Sequence, residues 1–197
     1  MKESVYLNKV REFIEQIVKV DEIEWKLFAS RLKFIECEKD EIITAAGDIE
    51  KFVYIVVEGV LRIFYISEEN EYTIAFKTPV STATSYVSFI NKQPSKVNVQ
   101  SVTNSKLFRF SEKDMNFIFK KFPLGETVGR KLIEKAYLDR EMKEMKLNTL
   151  TAENFYVDLI SERPELIRDV PQKYLASYLG IAPESLSRIR NNINNGK

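Results

Sequence analysis

Apolar and polar positions alternate in three distinct ways along the chain. Val10, Phe13, Ile14, Ile17 and Val18 recur at helical spacing and predict an amphipathic helix over about residues 4–18. Ile23, Leu27 and Phe28 predict a second over about 21–32. From about Lys33 to Ser111 short β-branched and aromatic runs alternate with turn signals. The runs are Glu41 to Thr44, Phe52 to Val57, Val60 to Ile66, Tyr72 to Lys77, Val97 to Val102 and Leu107 to Phe110. Many short strands with close turns suggest an antiparallel sandwich or jelly roll, with Tyr54 to Phe64 as its clearest hairpin. Helical periodicity then returns. Ser111, with Asp114 three residues on, caps a helix to Lys121, and a long helix is expected from about Leu124 to Lys146.

Leu124, Val128, Leu138, Met142 and Met145 lie near coiled-coil spacing on that long helix, although Lys131 and Lys135 interrupt the row. Gly125 and Gly129 would let another backbone approach. The helix could pack on its own sandwich. Its length and heavy charge favour a dimer seam instead, carried by Val128, Leu138, Met142 and Met145. Beyond it, Phe155, Tyr156, Leu159 and Ile160 supply one face of a C-terminal helical domain.

The most informative stretch is Val170 to Arg190. It reads as two short helices bent about Gly180, with Pro171 and Pro183 each at a helix start. Leu175, Ala176 and Leu179 form one apolar stripe, and Ile181 plugs the corner. On the second helix Leu186, Ile189 and Ile193 share a face, with Glu184, Ser187, Arg188 and Asn191 opposite. That layout is a helix-turn-helix, whose second helix enters the DNA major groove. Arg188 can bond guanine bidentately and Glu184 can accept from a cytosine amino group. The alternative is a helical hairpin inside a larger core; the joint spacing of Ala176, Gly180, Ile181 and Leu186 favours DNA. Ala182 lacks a capping side chain, so first-turn amides could face a phosphate or water.

Composition narrows the function classes. The 197 residues are 44% hydrophobic and 30% charged, as in an ordinary globular protein. No apolar run has the length of a membrane span and the N-terminus has no apolar signal core, so a cytoplasmic protein with no membrane partner is expected. A single cysteine, Cys37, cannot form an intramolecular disulfide, and there is no histidine. Cysteine-ligated clusters, thiolate–histidine zinc sites and most nucleophile–histidine catalysis are thereby excluded, and neither a metal nor an enzyme is expected. The net charge of +1 says little. Locally, Arg163, Arg168, Lys173, Arg188, Arg190 and Lys197 outnumber Glu165, Asp169 and Glu184, which predicts salt-sensitive binding by a dimer.

This order of parts resembles the Crp/Fnr family of bacterial transcription regulators over nearly the whole chain. The likeness is carried by Val170 to Ile181 with Pro183 to Arg190, and more weakly by Gly47-Asp48 and the Phe52 to Phe64 stretch. It implies an α+β fold: N-terminal helices and an antiparallel β jelly roll of the cyclic-nucleotide-binding type, a long dimerisation helix, and an all-α helix-turn-helix domain. The corresponding boundaries are 1–122, 123–148 and 149–197. The resemblance places Glu184, Ser185 and Arg188 on the bases and Gln172 on the DNA backbone; Ser187, Arg190 and Lys173 complete the expected interface. It also implies RNA polymerase as a further partner, though no residue marks that surface.

Members that bind cyclic AMP carry a glutamate for the ribose and an arginine for the phosphate. Ser85 and Ser95 fall at those places here. A serine cannot neutralise a phosphate, so cyclic AMP is not expected. Lys96 is adjacent but points to the opposite face of a strand. The cysteine ligands of iron–sulfur members are missing, and so is a histidine for haem. Nothing after Arg188 forms the β-hairpin wing common in the family. The expected function is a homodimeric, sequence-specific DNA-binding regulator. An unidentified small-molecule effector would meet Ser85, Tyr86, Ser95 and Lys96, with Tyr137 from the long helix; these same residues could instead cover a filled barrel. No cofactor is certain. The competing reading is a small-molecule sensor acting through protein partners.

Overall fold

The structure, a computed structural model, describes residues 2–68, 70–122 and 125–195. Among the described residues two helices, α1 (Lys2–Glu15) and α2 (Glu22–Ala29), lead into eight strands. Asp21 starts α2 with a capping box, accepting from the Glu24 amide while Glu24 reaches back. The strands are β1 (Lys33–Cys37), β2 (Ile42–Thr44), β3 (Phe52–Glu58), β4 (Leu61–Ser67), β5 (Asn70–Lys77), β6 (Ser81–Ala83), β7 (Asn98–Ser101) and β8 (Ser105–Ser111). A short helix, α3 (Tyr86–Asn91), interrupts them. They form two antiparallel four-stranded sheets, ordered β1-β8-β3-β6 and β2-β7-β4-β5. This is the jelly-roll arrangement expected, with three elements the pattern did not announce: β1, β6 and α3.

The expected Tyr54 to Phe64 hairpin is not one. β3 pairs with β6 and β8, whereas β4 pairs with β5 and β7, so the chain changes sheets at Gly59. Gly59 takes φ +89°, and the Val60 amide leaves for the Thr103 hydroxyl at 3.0 Å. β7 and β8 likewise lie in different sheets. The consecutive pair that does form a hairpin is β4 with β5.

Alternation along β3 serves two cores. Tyr54 and Val56 point between the sheets, where Leu61, Ile63, Val99 and Leu107 meet them. Ile55 and Val57 point outward and are covered with Phe108 by Val10, Ile14, Trp25, Phe28, Ile118 and Phe122. Helix α4 (Glu112–Lys121) starts at the predicted Ser111–Asp114 capping box. Helix α5 (Gly125–Thr149) runs 25 residues. Val128 sits in the outer core at 5% exposure and is therefore not part of any seam: it packs on its own chain. Leu124 lies outside the described residues. Leu138, Met142 and Met145 are exposed by 56%, 48% and 49%.

Four helices close the chain: α6 (Ala152–Glu162), α7 (Pro164–Asp169), α8 (Gln172–Leu179) and α9 (Pro183–Asn194). Their core of Phe155, Leu159, Leu166, Leu175, Ala176, Leu179 and Leu186 extends to Val60, Phe76 and Val102 of the jelly roll. No helix among the described residues is long and apolar enough to cross a membrane.

Candidate nucleic-acid interface

Helices α8 and α9 meet through Ala176, Leu179 and Leu186, all buried in one core with Ile189 and Ile193 packed on it. Gly180 ends α8 in the left-handed conformation, φ +71°, and the Ile181 amide bonds back to the Ala176 carbonyl at 3.0 Å. Pro183 occupies the first position of α9, whereas Pro171 lies one residue before α8, at its cap. Ala182 provides no side-chain cap, but its carbonyl takes the Ser185 and Leu186 amides at 3.1 and 3.2 Å. Those two donors are thus spent inside the helix and are not free for phosphate.

Burying Leu186, Ile189 and Ile193 turns the opposite side of α9 outward. Glu184, Ser187 and Arg188 are exposed, and neither Glu184 nor Arg188 makes an ion pair or hydrogen bond among the described residues. Ser185 is half-buried. Gln172 ties the two helices: its amide nitrogen reaches the Pro183 carbonyl at 3.4 Å and its oxygen accepts from Arg190 at 3.3 Å. Arg190 and Gln172 therefore brace the pair at its rim. Lys173 is exposed, its ammonium 4.8 Å from the Tyr174 ring.

The surrounding cations are fewer than the sequence count. Arg163 turns toward the Phe76 carbonyl and Thr78 of the jelly roll. Arg168 is held by Asp169 at 2.7 Å, which raises the guanidinium's pKa and lowers that of the carboxyl. Lys197 lies outside the described residues. Among the described residues Lys173, Arg188 and Arg190 have no acidic partner, and Arg190 is engaged by Gln172.

Of the residues expected to line an effector pocket, Ser85 and Ser95 come together and the other three are exposed. Ser85 and Ser95 are buried, with hydroxyls 2.7 Å apart and Ser95 also 2.6 Å from the Val97 carbonyl. Tyr86, Lys96 and Tyr137 are exposed. Beside the serines lies Glu50, a residue the sequence pattern did not single out and 2% exposed. Its carboxylate accepts from the Thr44 hydroxyl at 2.7 Å and from the Lys51 and Phe52 amides at 2.9 and 3.0 Å. It also lies 3.4 Å from the Ser85 amide. The chain's own Glu50 carboxyl thus takes up the hydrogen-bond donors of the polar centre beside α3. Burial also drives Cys37 up to about 11 and Tyr54 to about 12.

Comparison with known proteins agrees with this architecture. Residues 34–122 match the family described as the cyclic nucleotide-binding domain. No curated protein matches the sequence. Among solved structures, the global regulator CLP of Xanthomonas campestris, described as responsive to c-di-GMP, superposes with a TM-score of 0.68 at 17% identity, over 89% of this chain and 93% of that one. A Crp/Fnr-family transcriptional regulator from Eubacterium rectale gives 0.67 at 16% identity, over 90% and 85%. The catabolite activator protein of Thermus thermophilus gives 0.55 at 18% identity, over 91% and 87%. Residues 34–122 thus match the cyclic nucleotide-binding domain, and the chain shares the fold of solved Crp/Fnr-type regulators.

Proposed function

We propose that the protein is a homodimeric, sequence-specific DNA-binding transcription regulator whose reading element is the α8–α9 helix-turn-helix. In this reading residues 1–122 are the sensor, 123–148 the dimerisation helix and 149–197 the DNA-binding domain. The observation that carries it is the split character of α9: one side is locked into a core while Glu184, Ser187 and Arg188 face solvent uncommitted. Charged side chains with no internal partner, at the N-terminal end of an exposed helix, suit base edges in a major groove. Lys173 serves a phosphate from the preceding helix, as a point charge without sequence information. Pairing of α5 with its twin sets two such helices about one DNA turn apart. The Glu50 carboxyl, hydrogen-bonded beside Ser85 and Ser95, favours control without cyclic AMP.

Selection of a duplex from a random library, followed by binding measurements, tests this. Arg188→Ala, which removes one base contact from each protomer, is expected to lose about a hundredfold or more in affinity for the selected site and to relax its preference at one base pair per half-site. Lys173→Ala should weaken all duplexes alike and lower the salt slope by about 2 per dimer, one contact from each protomer. Equal binding of wild type and Arg188→Ala to every duplex overturns the reading and leaves the protein-partner alternative.

A further inference from the structure

Side chains, rather than a further strand, close one edge of the jelly roll. β5 is the outer strand of its sheet, so its backbone groups on that side have no ladder partner. Ser177 of α8 takes two of them: its hydroxyl accepts from the Thr73 amide at 2.8 Å and donates to the Glu71 carbonyl at 2.6 Å. Lys143 of α5 donates to the Thr73 and Ile74 carbonyls at 2.9 and 3.2 Å, with its ammonium 4.1 Å from the Tyr178 ring. Arg163, between α6 and α7, reaches the Phe76 carbonyl at 3.5 Å. Beside them Arg62, 1% exposed, is sandwiched between the rings of Phe64 and Tyr174, at 3.7 and 3.5 Å, and pairs with Glu71.

Apolar packing alone would hold the helices loosely in register. Hydrogen bonds to successive backbone groups are directional, and fix both the position along the strand and the tilt. The same interface leaves Thr73 Oγ1 buried without a hydrogen-bond partner, which costs stability. It also leaves the outward side of α9 open, since Glu184 and Arg188 are exposed in the docked arrangement.

We infer that the β5 edge is the seat that sets the orientation of the DNA-reading helix, with Ser177 as the positioning residue. The inference rests on the DNA-binding reading above. Held on this edge, both reading helices of a dimer meet DNA at a preset separation, and the ordering cost of binding is lowered. Without the Ser177 hydroxyl the Thr73 amide is stranded, and undocked arrangements gain population.

The test uses the full chain, wild type, Ser177→Ala and Ser177→Thr. Hydrogen exchange is followed at Thr73 and its neighbours. Affinity is measured for the selected duplex and for versions with half-sites moved one base pair closer or further. In Ser177→Ala, exchange along β5 is expected to rise at least about tenfold, with β3, β8 and α9 unchanged. Affinity for the selected duplex falls about tenfold, and the penalty for altered spacing shrinks. Ser177→Thr, which keeps the hydroxyl, restores both. Unchanged exchange overturns the inference. So does a fall in affinity that leaves the spacing penalty intact, because that marks a merely structural contact. If wild type binds no duplex, it is the DNA reading that fails, and the positioning role fails with it.

Discussion

Gly59 and Gly180 both hold a left-handed backbone, yet they are under different constraints. A Cβ on Gly59 would lie 2.2 Å from Ser105 Oγ and 2.7 Å from the Asn104 carbonyl. Ser105 cannot yield easily, because its hydroxyl is buried and bonded to Ser101 and Thr103. A Cβ on Gly180 would meet Leu147 Cδ2 at 3.5 Å, an ordinary contact, and nothing nearer outside its neighbours. Gly180→Ala therefore costs only backbone strain, about 1–2 kcal/mol. Gly59→Ala adds a clash at the crossover between sheets and should cost about 3 kcal/mol or more. Urea unfolding of the two variants checks the order; equal losses would show that the crossover can shift.

At the scale of elements, α5 carries an ammonium into the seam between the sheet and the C-terminal helices. Burial pushes Lys143 down from the usual 10.5 to about 8. The unfolded chain then holds this proton over a pH range where the folded chain has released it, so stability rises with pH above about 8. Below pH 8 both states are protonated and the burial penalty stands in full. Lys77, also lowered chiefly by burial, acts in the same direction. Cys37 acts oppositely once pH passes 9, because its folded value is raised. Thermal melts should gain stability between pH 7.5 and 9, and Lys143→Met should flatten that gain. Strands β2 to β5, β7 and β8 were legible as apolar alternation between turn signals. β6 was not, being three residues, Ser81-Thr82-Ala83, with little apolar pattern. A turn signal marks where a chain reverses but not which sheet it joins next, hence the misplaced hairpin at Gly59. The α8–α9 pair was legible because its packing is local. Its seat was not: Ser177 lies 104 positions from Thr73 and reads, by itself, as a surface serine. Nor could spacing show that the Glu50 carboxylate would turn inward beside Ser85.

At the scale of the whole molecule, the exposed apolar residues of α5 call for a cover. Leu138, Met142 and Met145 fall four and three residues apart on a helix about 37 Å long. Ile133 and Tyr137 widen the exposed surface. A charge placed there opposes pairing without touching the core. Met142→Glu is expected to sediment as a monomer where wild type sediments as a dimer, with its melting temperature nearly unchanged. A monomeric wild type at micromolar concentration would remove the basis for paired reading heads.

The covered flank of β5 has one more effect, which concerns the fate of a fragment. A chain clipped after residue 122 would lose Ser177, Lys143 and Arg163 together. Bare amides and carbonyls would then line a strand that also shows Tyr72 and Ile74. Such a border templates stacking from one molecule to the next. The helices that dock on β5 in the intact chain also shield it from fibre growth.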